Sequence, residues 1–334
     1  MKGGPNPSSA MPDRILKPWP FTPAPQLVAD IGGTNTRVAL ADGGVLRAGS
    51  IRKYANAGRD GLSGILRQYL RDTASTECSG VCVAVAGPVR DGVARMTNLD
   101  WEITTDDLAA VGGTDRVAIL NDLQAQGHAL ASLGARHLRV LRPGRPAPEG
   151  AAQLVVGAGT GFNAAPVHHL PGGTFVAPSE CGHIHLPRHG EAEEALARHL
   201  AQRHGIATIE EVLCGRGLVA LHHWVSGHEV AGDALTAAIA AGDAQARESG
   251  ALYARLMGRA LAALALVHLP FGGIFLIGSV ARAMAPHLDD LGMGAAFVEM
   301  GRFSAMMEDF PILVVEDDYA ALLGCAAHLT APAR

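Results

Sequence analysis

Leu27-Val28-Ala29-Asp30-Ile31-Gly32-Gly33-Thr34-Asn35-Thr36-Arg37-Val38-Ala39-Leu40 decides how the rest of the chain reads. Two apolar runs flank a glycine turn, which predicts two buried strands of a hairpin. The turn region carries a carboxylate (Asp30), two glycines, a hydroxyl and an amide. Gly32 and Gly33 lack a Cβ, so the backbone bends freely and a ligand can approach it closely. Exposed N–H groups in such a turn form a concave site for an oxyanion. Asp30 at the end of a buried run calls for positive charge nearby, and a phosphate-bound Mg2+ would supply it. A plain hairpin has the same Gly-Gly turn, so this stretch alone leaves both readings open.

The length of 334 residues suggests about two domains. Apolar residues make up 48% and charged residues 18%, which permits a large core and argues against global disorder. A net charge of −5 argues against a nucleic-acid partner, whose binders present a basic face. Cys78, Cys82, Cys181, Cys214 and Cys325 are odd in number and form no CxxC pair, as expected of free thiols in a reducing cytoplasm. Lysine occurs only at Lys2, Lys17 and Lys53. That removes a GxxxxGK[ST] loop, a kinase-type strand lysine and a core Schiff base. Phosphate contacts must then come from backbone N–H groups, hydroxyls, arginine or a metal.

Residues 1–25 are rich in Pro, Gly and Ser, lack the apolar core of a secretory signal, and read as a flexible tail, with Met11 as an alternative start. Beyond the hairpin, the pattern predicts a strand around 45–54, a helix over 61–73, a buried strand over 81–86 and short strands within 90–103. A short helix follows over 105–111, capped by Thr104 or Thr105. A buried strand, 117–120, ends at Asn121-Asp122 and leads into a helix over 123–133. Residues 134–150 read as a connection. The opening pattern then restarts: an apolar run from Gln153, the turn Gly157-Ala158-Gly159-Thr160-Gly161, and a second run from Phe162. Two strand–glycine turn–strand units suggest a duplicated architecture. Helices fill 191–268. The apolar stretch 246–269 is interrupted by Arg247, Arg255 and Arg259, so it reads as a buried core helix and not a membrane span of about 20 apolar residues. Strands over 273–277 and 312–315 and a last helix over 320–328 complete an α/β chain.

Five separated segments agree with one another: Asp30–Asn35, Leu120-Asn121-Asp122, Gly157–Gly161, Glu180-Cys181-Gly182-His183 and Gly273–Gly278. In this order and spacing they resemble bacterial glucokinases, within the actin-like and hexokinase-like superfamily of ribonuclease H-like folds. Met96-Thr97-Asn98 before Trp101, Glu211–Gly215 and Gly301-Arg302-Phe303 add to the likeness, which spans Leu27 to His328. The cysteine-rich zinc loop of related sugar kinases is missing, which places the chain with the zinc-free group. The resemblance implies a two-domain clamp, with a small domain over 26–132 completed by the last helix (about 319–334) and a large domain over 133–318. It implies ATP, Mg2+ and glucose as ligands, glucose 6-phosphate as product at the entry to glycolysis, and a homodimer.

By the same resemblance, Asn121 and Asp122 bind the sugar, and Asp122 takes the proton of the 6-hydroxyl. A carboxylate in hydrogen-bond reach can do this, although Asp at a helix start is also a common cap. Glu180, His183 and a later glutamate would grip the glucose hydroxyls. Distance to the Val212–Gly215 segment makes that glutamate Glu210, with Glu211 as runner-up. His183 has His168, His169, His185 and His189 in sequence range, but no spacing among them demands a metal. Ala29, Asp30, Ile31, Gly32, Gly33, Thr34 and Asn35 would cradle phosphate on one side, with Asp30 holding Mg2+ directly or through water. Gly159, Thr160 and Gly161 would cradle it on the other, and Gly278 would lie against the adenosine. The second turn is GxGxG followed by a strand-like run, not the GxGxxG-helix of a dinucleotide fold.

The chain departs from the family pattern at Ser279, Asn163 and Cys181, each where glycine is frequent. Two rivals to a glucose kinase are a kinase for another hexose or amino sugar and a catalytically silent sugar or ATP sensor on the same fold. A DNA-binding regulator would need a helix-turn-helix ahead of the hairpin, and residues 1–25 are not expected to supply one.

Overall fold

The computed structural model describes residues 24–75, 77–96 and 99–331. Most of the expected tail, together with Thr97 and Asn98 of the Met96–Asn98 segment, lies outside them.

The opening stretch forms strands β1 (Gln26–Ile31) and β2 (Asn35–Asp42), antiparallel, with Asp30 opposite Arg37. The expected strand over 45–54 is two short ones, β3 (Val45–Leu46) and β4 (Arg52–Ala55), both pairing with β2. Helix α1 (Leu62–Asp72) buries Leu62, Ile65, Leu66, Tyr69 and Leu70, the spacing that predicted it. Strand β5 (Gly80–Val85) runs parallel to β1 and is buried throughout, so it reads as a continuous apolar run. A small sheet of β6 (Val89–Arg90), β7 (Val93–Arg95) and β8 (Glu102–Thr104) leads into α2 (Thr105–Gly112), capped by the Thr104 side chain on the Asp107 N–H. Strand β9 (Val117–Asn121) joins β5 in parallel, and α3 (Asp122–Ala129) follows without a loop.

The second half begins with β10 (Leu138–Arg142), where the sequence reading had only a connection. Its residues alternate Arg with Leu and Val at the sheet edge, and Arg139 and Arg142 pair with Glu316 and Glu308. A charged, half-exposed edge strand leaves little apolar signal. Strands β11 (Gln153–Ala158) and β12 (Phe162–Leu170) form the second hairpin, extended by β13 (Gly173–Val176). Helices α4 (Glu191–His204), α5 (Gly215–Ser226), α6 (Gly232–Ala241) and α7 (Ala244–His268) follow. Then come β14 (Ile274–Ile277), α8 (Ser279–Met284), α9 (Met293–Val298), α10 (Ser304–Met307), β15 (Ile312–Val315) and α11 (Ala320–His328).

The strand order of the first sheet is β3-β2-β1-β5-β9, and that of the second is β13-β12-β11-β14-β15 with β10 beyond β15. In both, an antiparallel hairpin leads and two later strands add in parallel on the other side of its first strand. The duplication read from the two glycine turns is therefore a duplication of topology. Helix α7 is long and apolar enough to cross a membrane, but most of it is buried in the second core. Its arginines meet buried charge: Arg259 lies 2.9 Å from Glu193, which is 2% exposed, and 3.0 Å from Glu299.

Two helices join the halves. α11 packs on β1, β2, β3 and β5 of the first sheet, and α3 packs on β11, β12 and β13 of the second. They also pack on each other so closely that a Cβ at Gly324 would stand 1.6 Å from the Ala125 carbonyl oxygen.

Candidate active site

Asn56 shapes the first turn. Its amide donates to the Gly32 carbonyl at 2.8 Å, its backbone N–H donates to the Thr34 carbonyl at 2.9 Å, and its Oδ1 accepts from the Thr36 hydroxyl at 2.8 Å. Asn56 is 2% exposed, and its hydrogen bonds satisfy a buried amide while fixing the loop. No motif marks it in the sequence. Gly32 is not in the left-handed region, and a Cβ there would make ordinary contact with the Asn35 carbonyl at 3.5 Å. The fold tolerates a side chain at Gly32, so neither backbone strain nor packing demands glycine there. Gly33 and Thr34 are exposed at the tip, whereas Ala29 and Ile31 are buried and can offer only backbone.

Asp30, the last residue but one of β1, meets Arg37 at 3.2 Å. Burial pushes its carboxyl up, against the pull of Arg37. Among the described residues no three His, Cys, Asp or Glu side chains converge as a metal site. One or two carboxylates still suit Mg2+, which keeps several waters and takes phosphate oxygens. Arg37 supplies positive charge beside Asp30, and the Asp30 carboxylate adds to the upward push on Asp122.

The cap of α3 is Asn121, not Asp122. The Asn121 Oδ1 accepts from the Gln124 N–H at 2.7 Å, and the Gln124 Oε1 accepts from the Asn121 N–H at 3.1 Å, a complete capping box. Asp122 thus needs no capping role to account for it. Its Oδ1 accepts from the Leu123 N–H at 2.9 Å. The residue is exposed at the surface, yet the protein around its carboxyl pushes it up to about 6. The Leu123 N–H opposes this, while the Asp30 and Glu180 carboxylates add to it.

The second turn belongs to the chain's duplicated half. The Gly159 N–H donates to the Gly161 carbonyl at 3.0 Å, and the Gly215 N–H at the start of α5 donates to the Gly159 carbonyl at 2.8 Å. Gly278 has φ 103°, and a Cβ there would stand 2.4 Å from the Ala158 carbonyl, so only glycine fits. Ser279 begins α8 beside Gly159. Thr160 is exposed at the tip. The turn opens into strand β12, so the dinucleotide reading fails on geometry as it did on spacing.

The loop bearing Glu180 and His183 is pressed onto this hairpin. A Cβ at Gly182 would stand 1.9 Å from the Phe162 carbonyl. The Glu210 N–H donates to the Gly182 carbonyl at 2.9 Å, and its carboxylate accepts from the Phe162 N–H at 3.0 Å. Arg216 lies 3.0 Å from Glu210 and 3.2 Å from Glu211. Glu211 turns toward His204 at 3.6 Å. Glu210, not its neighbour, therefore lies against Gly161 and Gly182. Glu180 and His183 are exposed on the loop. His185 instead bridges to Thr208, and His168 and His169 lie near the far end of β12, so the histidines do not gather. A cavity of about 830 Å3 between α4 and α5 has Gly215 and Arg216 in its wall but none of Asp30, Asp122, Glu180 or His183.

The sequence profile of the glucokinase family matches residues 27–332. The chain is 34% identical over 321 residues to the glucokinase of Stenotrophomonas maltophilia, covering 91% of this chain and 94% of that protein. It is 30% identical over 315 residues to the glucokinase of Mesorhizobium japonicum, covering 92% of each. Its fold is similar to the crystal structure of a glucokinase from an Antarctic psychrotroph, with a TM-score of 0.82 and 26% identity over 92% of this chain and 98% of that one. A ROK family glucokinase from Streptomyces griseus, solved with glucose and AMPPNP, shares the fold at a TM-score of 0.59 and 22% identity, covering 91% of this chain and 98% of that one. The match of profile, length and fold makes this chain a member of the glucokinase family.

Proposed function

We propose that the chain transfers the γ-phosphoryl group of ATP to the 6-hydroxyl of glucose, with Asp122 as general base. One observation carries the assignment of the base: Asp122, relieved of capping by Asn121, stands within the field of both Asp30 and Glu180. With its carboxyl near 6, Asp122 is largely ionised at pH 7 yet basic enough to take a proton as the hydroxyl attacks. Glu180, His183, Glu210 and the Asn121 amide nitrogen bind the sugar hydroxyls, and directional hydrogen bonds penalise a sugar lacking one. The turns at Gly32–Asn35 and Gly159–Gly161 hold the phosphates through N–H groups and the Thr34 and Thr160 hydroxyls, with Gly278 against the adenosine. Asp30 would hold Mg2+ directly or through water, and the ion would neutralise phosphate charge.

The lobes of the clamp are 26–132 with the last helix, and 133–318. This division is supported by α11 packing on the first sheet. Closure of the clamp would exclude water as a competing nucleophile. As in the sequence reading, the protein acts as a cytoplasmic homodimer at the entry to glycolysis. A coupled ADP-release assay over a panel of hexoses tests the function. Release that depends on glucose above other sugars is expected, a different ranking would reassign the substrate, and sugar-independent release would make the chain an ATPase. His183→Ala is expected to flatten the hexose ranking while leaving the KM for ATP little changed; an unaltered ranking would remove His183 from the sugar site.

A further inference from the structure

We infer that Asn163 is a positioning residue that fixes the Glu180 carboxylate and thereby sets selectivity for the sugar. The inference rests on the reading that Glu180 binds sugar. Asn163 lies in β12, two residues past the second glycine turn, paired with Gly157. Its Oδ1 accepts from the Ala164 N–H at 2.8 Å and the Cys181 N–H at 3.1 Å, with the Cys181 thiol at 3.5 Å. Three donors on one oxygen settle which way the amide faces. The Nδ2 then points to the Ser179 carbonyl and to Glu180 Oε2, which is 3.4 Å away. Both Nδ2 hydrogens are used.

Glu180 is exposed on a loop, where a glutamate side chain samples many rotamers. A carboxylate discriminates hydroxyls only when held in one orientation, and ordering it at the moment of binding weakens affinity. Asn163 does that ordering in advance and from a strand, so the sugar loop and the phosphate turn share one rigid support. The Cys181 thiol, at 3.5 Å, reaches the same Asn163 oxygen, which ties the departure from glycine at 181 to the one at 163.

The test is steady-state kinetics on the full chain. Asn163→Ala is expected to raise the KM for glucose about threefold, the effect of losing one long N–H···O contact to a carboxylate, with kcat and the KM for ATP little changed and the glucose preference narrowed. Asn163→Asp keeps the acceptor for the Cys181 and Ala164 N–H groups but removes the donor and sets a second carboxylate beside Glu180. It should therefore be no better than Asn163→Ala. In an Glu180→Gln background, Asn163→Ala should add little, since coupled residues are not additive. A wild-type KM for glucose in Asn163→Ala, rescue by Asn163→Asp, or equal rises in the KM for glucose and ATP would each overturn the inference. If Glu180→Gln raises the KM for glucose but Asn163→Ala does not, the inference alone fails. If Glu180→Gln changes nothing, the sugar-binding reading of Glu180 fails and takes the inference with it.

Discussion

Asp122→Ala is expected to lower kcat by about 10²-fold or more, the range for loss of a general base, while glucose still binds. The residual rate would come from alignment and charge stabilisation, on which phosphoryl transfer mostly depends. Stopped assays at saturating glucose and a separate sugar-binding titration distinguish the two effects. Near-normal turnover would refute the assignment. In the wild type, kcat/KM for glucose should rise with pH through about 6 and level off above it, because only the ionised carboxylate accepts a proton. The same shift has a cost in stability. A carboxyl that titrates near 6 when folded and near 3.8 when unfolded releases its proton less readily in the native state, so stability is lost as pH rises through that window. Asp122→Asn should therefore stabilise the protein at pH 7, by an amount on the order of 1 kcal/mol once the exposed edge of the carboxylate is discounted for solvent screening. The gain should vanish below pH 4. An inactive variant that melts higher is the signature of a group kept for chemistry.

Gly324→Ala is expected to destabilise the fold by about 3 kcal/mol or more, an overpacking effect without a flexible neighbour to absorb it. The added Cβ would meet backbone, 1.6 Å from the Ala125 carbonyl oxygen and 2.6 Å from its carbon. Helices α3 and α11 would have to separate. Because Asp122 is the first residue of α3, the folded fraction should also lose turnover. Gly134→Ala is the control: nothing lies within 4 Å of its Cβ position, and its φ of −77° suits alanine. Urea midpoints of the two variants decide the matter. A Gly324→Ala protein as stable as Gly134→Ala would mean that the crossing of α3 and α11 is looser than described.

The hairpins were legible because their strands are covered on both faces. Residues 27–29 and 154–156 are apolar without interruption, and glycines follow closely after each run. The last helix, 320–328, matches its expected bounds because the segment is strongly apolar and short. β10 and β13 were not legible, since short edge strands broken by exposed Arg139 or half-buried Thr174 give no continuous apolar run. The motif residues were singled out by order and spacing. Asn56 and Asn163 were not assigned a role, because each acts through contacts with loops distant in sequence. The choice between Glu210 and Glu211 needed the structure for the same reason: adjacent residues differ only in which neighbour they face. Whether Asp122 capped α3 also stayed open until Asn121 proved to hold the capping box.

A structure of the complex with glucose and a non-hydrolysable ATP analogue tests the account most directly. The account predicts the sugar 6-hydroxyl about 2.6–3.2 Å from a carboxylate oxygen of Asp122, with the terminal phosphate between Gly32–Asn35 and Gly159–Gly161. A nucleotide seated away from both turns, or an Asp122 carboxylate turned away from the sugar, would contradict it.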